Sequence, residues 1–177
     1  MAKKRFKVDI MSQSSIEQLI KELRSYQNSL EQKTRLFCER LAEIGVETAK
    51  ATVYGLDAVF TGELFRSIHS EQRSSGTTVV FAVVADSEHA IYVEMGTGLV
   101  GAESPYPGKL PAVYAQGKSF VELLEPFGKY EAGTYGWFYE RDGHIFFTEG
   151  MPSRPFMYFA SLEMQENIVK IAKEVFA

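Results

Sequence analysis

The sequence predicts an α+β fold: a long N-terminal helix, an antiparallel sheet of four or more strands and a C-terminal helix. Three observations predict it. Apolar residues recur at helical spacing over the first third of the chain and again at its end. Short β-branched and aromatic runs, bounded by turn residues, lie between these stripes. The 177 residues, 45% hydrophobic and 24% charged, have the length and composition of one domain, with an insertion at about residues 96–150.

The elements follow in chain order. Alternation over residues 4–10 is compatible with a short strand. Ser14-Ser15-Ile16-Glu17 then matches a capping box, in which side chains satisfy the first free N–H groups of a helix. Ile16, Leu19, Ile20, Leu23, Tyr26 and Leu30 share one helical face. Asn28-Ser29-Leu30-Glu31 repeats the capping pattern, which predicts either a kink near residue 28 or a fresh helix start. The stripe resumes at Leu30, Thr34, Phe37, Leu41, Ile44, Thr48 and Ala51. So long a stripe packs on a sheet, on another subunit, or on both.

Residues 55–62 break the helix. Residues 64–72 and 77–85 read as a hairpin across the turn Arg73-Ser74-Ser75-Gly76. The nearly continuous run Val79, Val80, Phe81, Val83 and Val84 predicts burial on both faces. Residues 89–94 read as a third strand. The composition changes over residues 96–150, which hold ten of the fourteen glycines, four of the six prolines and eleven aromatics. A short helical stripe at 119–124 is the one regular signal in its first half. In its second half, residues 137–141 and 144–148 flank Asp142-Gly143, which favours a two-residue type I′ hairpin turn. Residues 150–155, with Pro152 and Pro155, read as a rigid linker. Phe156, Phe159, Ala160, Met164, Ile168, Ile171 and Val175 then mark a final helix.

Charge and cysteine content narrow the function. Nineteen basic residues against twenty-three acidic ones leave no excess to neutralise nucleic-acid phosphates. The basic start at Lys3, Lys4, Arg5 and Lys7 reads as a solvated terminus, and no apolar segment follows it as in a signal peptide. No apolar run approaches the roughly 18 residues of a membrane span. Cys38 is the only cysteine, which excludes an internal disulfide framework and a cysteine-rich zinc site. Its place on or beside a helix's apolar face predicts a buried, inert thiol.

Several motifs invite a chemical reading. Gly96-Thr97-Gly98-Leu99-Val100-Gly101 matches a dinucleotide fingerprint, but Pro105 and Pro107 follow at once and no helical stripe opens there. A small-molecule or nucleotide-binding enzyme using this loop with Glu94 is the alternative reading. His69-Ser70-Glu71 resembles half of a zinc-deaminase motif whose cysteine half is absent. His69, His89 and His144 show no metal-ligand spacing, and a nuclease using them as acid–base groups is a weaker rival. No catalytic, cofactor-binding or metal residues are therefore expected, and the chain reads as a non-enzyme.

Three segments carry a resemblance. Thr61-Gly62-Glu63-Leu64-Phe65-Arg66-Ser67-Ile68 resembles the T-G-x-L-x-x-S-I segment of the head–tail joining (neck or tail-completion) proteins of long-tailed bacteriophages and prophages. Ala90-Ile91-Tyr92-Val93-Glu94-Met95-Gly96-Thr97-Gly98 is similar to their Y-V-E-x-G-T-G signature. Pro152-Ser153-Arg154-Pro155-Phe156 resembles their R-P-F segment before the last helix. The resemblance covers roughly residues 10–98 and 150–177; the long stretch after Gly98 departs from it.

This resemblance implies a structural virion protein of the neck, made in the host cytoplasm. It would assemble as a homo-oligomeric ring between head-connector and tail proteins, with DNA passing through unread and no cofactor. The implied structural or interface residues are Thr61, Gly62, Leu64, Ser67, Ile68, Tyr92, Val93, Glu94, Gly96, Thr97, Gly98, Arg154, Pro155 and Phe156. Gly96 and Gly98 would supply positive φ, Glu94 would accept N–H groups of that turn, and Arg154 would pair with Glu94 or a neighbouring subunit. Trp137, Phe138, Tyr139, Phe146 and Phe147 are candidate contacts of the insertion. The insertion would act either as an arm docking on a neighbour or as an extension of the sheet.

Overall fold

A computed structural model describes residues 5–58, 62–73, 78–104, 106–108, 136–141 and 143–177. Its longest element is helix α1, Gln13–Gly55. Ser12 is its N-cap and accepts the Ser15 N–H at 3.4 Å, so the cap falls two residues before the expected box. Residues 5–12 form no strand; they run back along α1, with the Phe6 ring against Tyr26. The second capping pattern starts nothing. A cap needs the preceding residues to leave the helix, and no glycine or proline lies between Gln13 and Ile44 to make them do so. The Glu31 carboxylate instead accepts from Gln27 one turn earlier, at 3.1 Å.

α1 ends in a Schellman arrangement. Ala58 N–H reaches the Val53 carbonyl at 2.9 Å and Asp57 N–H reaches Tyr54 at 3.2 Å, with Asp57 at φ +50°. The residue with left-handed backbone is therefore Asp57, and Gly55 is an ordinary member of the last turn.

Residues 64–72 are not all strand. Gly62, at φ +73°, opens a short helix α2, Glu63–Ser67, and β1, Ile68–Gln72, follows. β1 pairs antiparallel with β2, Phe81–Ala85, in the register Ile68↔Ala85 to Gln72↔Phe81. The turn at residues 74–77 lies outside the described residues. One face of this hairpin, with Ile68, Val83 and Ala85, packs on the core against α1. β2 is half-buried throughout and Val80 is exposed, so the expected burial on both faces is incomplete.

The expected third strand is helix α3, Ala90–Met95. Its N–H groups turn back locally: Val93 to His89 at 3.1 Å and Gly96 to Tyr92 at 2.9 Å. Six residues are too few for periodicity to separate helix from strand. Val93, Glu94 and Met95 are buried in succession, which a strand with one solvent face does not allow. A further short helix, α4, covers Gly98–Glu103.

β3, Trp137–Arg141, and β4, His144–Thr148, form the expected hairpin, with Arg141↔His144 closing a two-residue turn and Gly143 at φ +76°. Instead of one sheet of four or more strands, the described residues form two two-stranded sheets. β5, Gly150–Met151, joins neither and bridges to Thr97 and Gly98. The stripe at 119–124 lies outside the described residues.

The last helix, α5, spans Phe156–Phe176 and runs antiparallel to α1. Phe176 meets Phe37 at one end (5.9 Å between rings), while Phe156 and Ala160 join Ala49 and Val53 at the other. Ala42, Gly45 and Ala49 present almost no side chain, which lets the helices approach closely. Leu64, Ile68 and Val93 complete the core. α5 ends beside Phe37, so about 30 Å of α1, residues 13–33, projects beyond it.

Candidate functional site

The segments at residues 90–98 and 152–156 meet in one joint, and Glu94 is its centre. α5 begins after Pro155, which has no side chain able to cap the helix. Glu94, from 63 residues earlier, supplies the missing acceptors: Oε2 takes the Met157 N–H at 2.9 Å and Oε1 the Tyr158 N–H at 3.0 Å. A carboxylate at a helix N-terminus also meets the positive end of the helix dipole. Glu94 is only 6% exposed, and burial pushes its carboxyl above the ordinary range. The α5 N–H groups and the Tyr106 hydroxyl, all hydrogen-bonded to it, pull partly in the other direction. Burial first, and the Glu94 charge second, push the Tyr106 phenol up.

Backbone contacts tighten the joint. Arg154 N–H donates to the Val93 carbonyl at 2.8 Å, Ser153 Oγ to the Glu94 carbonyl at 2.7 Å, and Met151 N–H to Thr97 Oγ1 at 3.1 Å. Gly96 and Gly98 have positive φ, +78° and +62°, as expected. Both also face backbone so close that a Cβ would overlap it: Ser153 and Met151 at Gly96, Glu149 at Gly98. Gly101 lies equally close to Gly96 and Met151. The glycines of the G-x-G-x-x-G match thus admit the chain's own backbone.

Two expectations about the joint need correction. Glu94 does not bind N–H groups of the Gly96–Gly98 turn, because its carboxylate points to α5. Arg154 and Glu94 form no ion pair; Glu94 is already engaged, and Arg154 enters the joint through its backbone. A short helix, α4, also does open within the glycine motif, contrary to expectation. It follows helix α3 rather than a strand, so the strand–turn–helix geometry of a dinucleotide site is not formed.

The other motif residues have structural places. Leu64 and Ile68 are buried in the core, Phe156 is 1% exposed, and Ser67 Oγ bonds back to the Leu64 carbonyl at 2.8 Å. Gly62 caps α2 with left-handed backbone, while Tyr92 is exposed. Thr61 lies outside the described residues. Cys38 is half-buried rather than buried as expected, and the burial it has pushes its thiol up.

Two apolar surfaces face outward. On the projecting part of α1, Ile16, Ile20, Leu23, Tyr26 and Leu30 are each about two-fifths exposed. On the second hairpin, Phe138 stands opposite Phe147 and Tyr139 opposite Phe146, ring to ring at 5.2 and 5.6 Å. Opposed residues share a face and neighbours alternate, so the two pairs lie on opposite faces. All four rings are exposed. Trp137 is opposite Thr148 in the register. This hairpin does not extend the β1–β2 sheet.

One side-chain cluster escaped the sequence reading. His69, Glu71 and Asp86 converge on the β1–β2 hairpin, while His89 and His144 join no such group among the described residues. The alternation of His69 and Glu71 along the chain was the available signal; Asp86 joins them only through the strand register. Among the described residues no helix is long and apolar enough to cross a membrane. No protein-family model matches the chain, and neither the curated proteins nor the solved structures contain a match.

Proposed function

We propose that the chain is a structural component of the virion neck of a long-tailed phage or prophage, assembling as a ring that joins head connector to tail. The observation that carries this reading is the division of labour in the fold. Residues resembling the neck-protein signatures build a rigid internal joint, while apolar residues of α1 and of the β3–β4 hairpin remain on the outside. Exposed apolar stripes of this kind mark binding surfaces. Glu94, the acid best placed for chemistry by sequence, is spent on capping α5. The glycines beside it are filled by backbone, which favours assembly over nucleotide binding.

In this reading the projecting part of α1 packs against a neighbouring subunit, and the aromatic hairpin is an arm that contacts a neighbour or a tail component. The experiment is mass photometry of the purified protein over a concentration series, followed by electron microscopy of any assembly. Closed rings are expected, dissociated by Leu23→Glu. Clear thermal stabilisation by nucleotides, with a monomer at every concentration and no assembly with head-connector or tail proteins, would overturn the proposal.

A further inference from the structure

We propose that His69, Glu71 and Asp86 form a binding site for a divalent transition-metal ion, Zn²⁺ by ligand chemistry, on the outer face of the β1–β2 hairpin. The placement follows from strand geometry. His69 and Glu71 are two residues apart on β1 and share the face opposite to Ile68. Asp86 follows β2, one residue past Ala85, the partner of Ile68, and so comes beside His69.

The orientations of His69 and Glu71 are set from outside the cluster. His69 Nδ1 lies 2.8 Å from the Ser67 carbonyl oxygen, so in the neutral ring that nitrogen carries the proton. Nε2 then presents its lone pair towards the carboxylates, 3.3 Å from Glu71 Oε1 and 3.7 Å from Asp86 Oδ2. The other Glu71 oxygen, Oε2, is held by Arg73 Nε at 2.8 Å. A histidine anchored by a backbone carbonyl and a carboxylate anchored by a donor are the outer-shell arrangements of metal sites.

The spacing suits the ion. The three ligand atoms lie within 4.8 Å of one another. Ligands about 2.0–2.2 Å from a tetrahedral zinc stand roughly 3.3–3.6 Å apart, close to both His69 distances. A neutral imidazole lone pair facing two carboxylates is repulsive unless a cation lies between them. A proton on Nε2 is one such cation, bonding to each carboxylate singly. A divalent ion brings twice the charge and takes all three donors at once. One imidazole with two carboxylate oxygens favours Zn²⁺ over Mg²⁺ or Ca²⁺, which take oxygen ligands. Water completes the coordination at this half-exposed position.

The site does not rest on the assembly role and is tested separately. Tag-free protein, stripped of metal, is titrated with ZnCl₂ at pH 7.5 by calorimetry. One ion per chain with a micromolar dissociation constant is expected. His69→Ala and Asp86→Asn, both substitutions away from the core, should each weaken it about tenfold or more, while His89→Ala and His144→Ala leave it unchanged. Zinc should also move the His69 Nε2 nitrogen resonance in long-range ¹H–¹⁵N spectra. Millimolar or weaker binding, or affinity unaltered by His69→Ala, would overturn the proposal and leave the cluster as a proton-bridged ion pair.

Discussion

The two parts of α1 have the same kind of sequence and opposite surroundings. Over residues 37–53 its apolar face is closed by α5 and the β1–β2 hairpin, with Ala49 and Val53 fully buried. Over residues 13–33 an equally regular stripe meets no other helix among the described residues, and five of its members are exposed. One difference is the small residues that stand among Phe37, Leu41 and Ile44 in the covered part. The covered part uses Ala42, Gly45 and Ala49, which let another helix approach, whereas the projecting part carries Ile, Leu and Tyr, which stand out from the helix. Periodicity shows where a helix is apolar; the size of the apolar residues shows where its partner already sits.

This contrast gives a graded set of expectations. Phe156→Ala, in the cluster shared with Ala49 and Val53, should cost about 3–5 kcal/mol in urea unfolding, because it empties a buried aromatic site. Glu94→Ala should cost about 2 kcal/mol by the same measurement, since two N–H groups of α5 lose their acceptor in a buried place. The sign of the pH effect follows from the raised carboxyl. The folded protein holds the Glu94 proton more tightly than the unfolded chain, so this contribution is full below the ordinary carboxyl range and is lost as pH rises through the raised value. Glu94→Gln should remove that part of the slope in unfolding curves recorded across pH.

Smaller effects test the edges of the comparison. Gly55→Ala should raise stability by about 0.5–1 kcal/mol, because Gly55 is helical, faces open space, and leaves the left-handed turn to Asp57. Leu23→Ala should change the thermal midpoint of the isolated chain least, by less than about 0.5 kcal/mol in equivalent stability. A large loss there would mean that the projecting part of α1 is covered within its own chain.

Legibility in the sequence followed length and locality. α1, α5 and the β3–β4 hairpin were readable, because each is fixed by a long stripe or by a turn signal such as Asp142-Gly143. The segment at Ala90–Met95 reads as a strand because its six residues, five of them apolar, are too few to separate the two periods, and the five residues of the helix at Glu63–Ser67 are hidden by the same shortness. The positive φ of Gly96 and Gly98 was legible; the reason for it, backbone arriving from residues 149–153, was not. Glu94 was recognised as unusual, but its partners lie 63 and 64 residues away and nothing local names them. Asp86 was missed because only the strand register brings it to His69.

The bridges Thr97↔Met151 and Gly98↔Gly150 hold the two ends of a long stretch of chain side by side. Closing a loop costs little more as it lengthens, about 0.6 kcal/mol for each doubling. With its ends clamped at residues 97–98 and 150–151, a change in the length of that stretch adds little closure cost to the fold of α1, α5 and the first hairpin. The joint thus acts as a clasp that fixes where the intervening chain leaves the scaffold and where it re-enters.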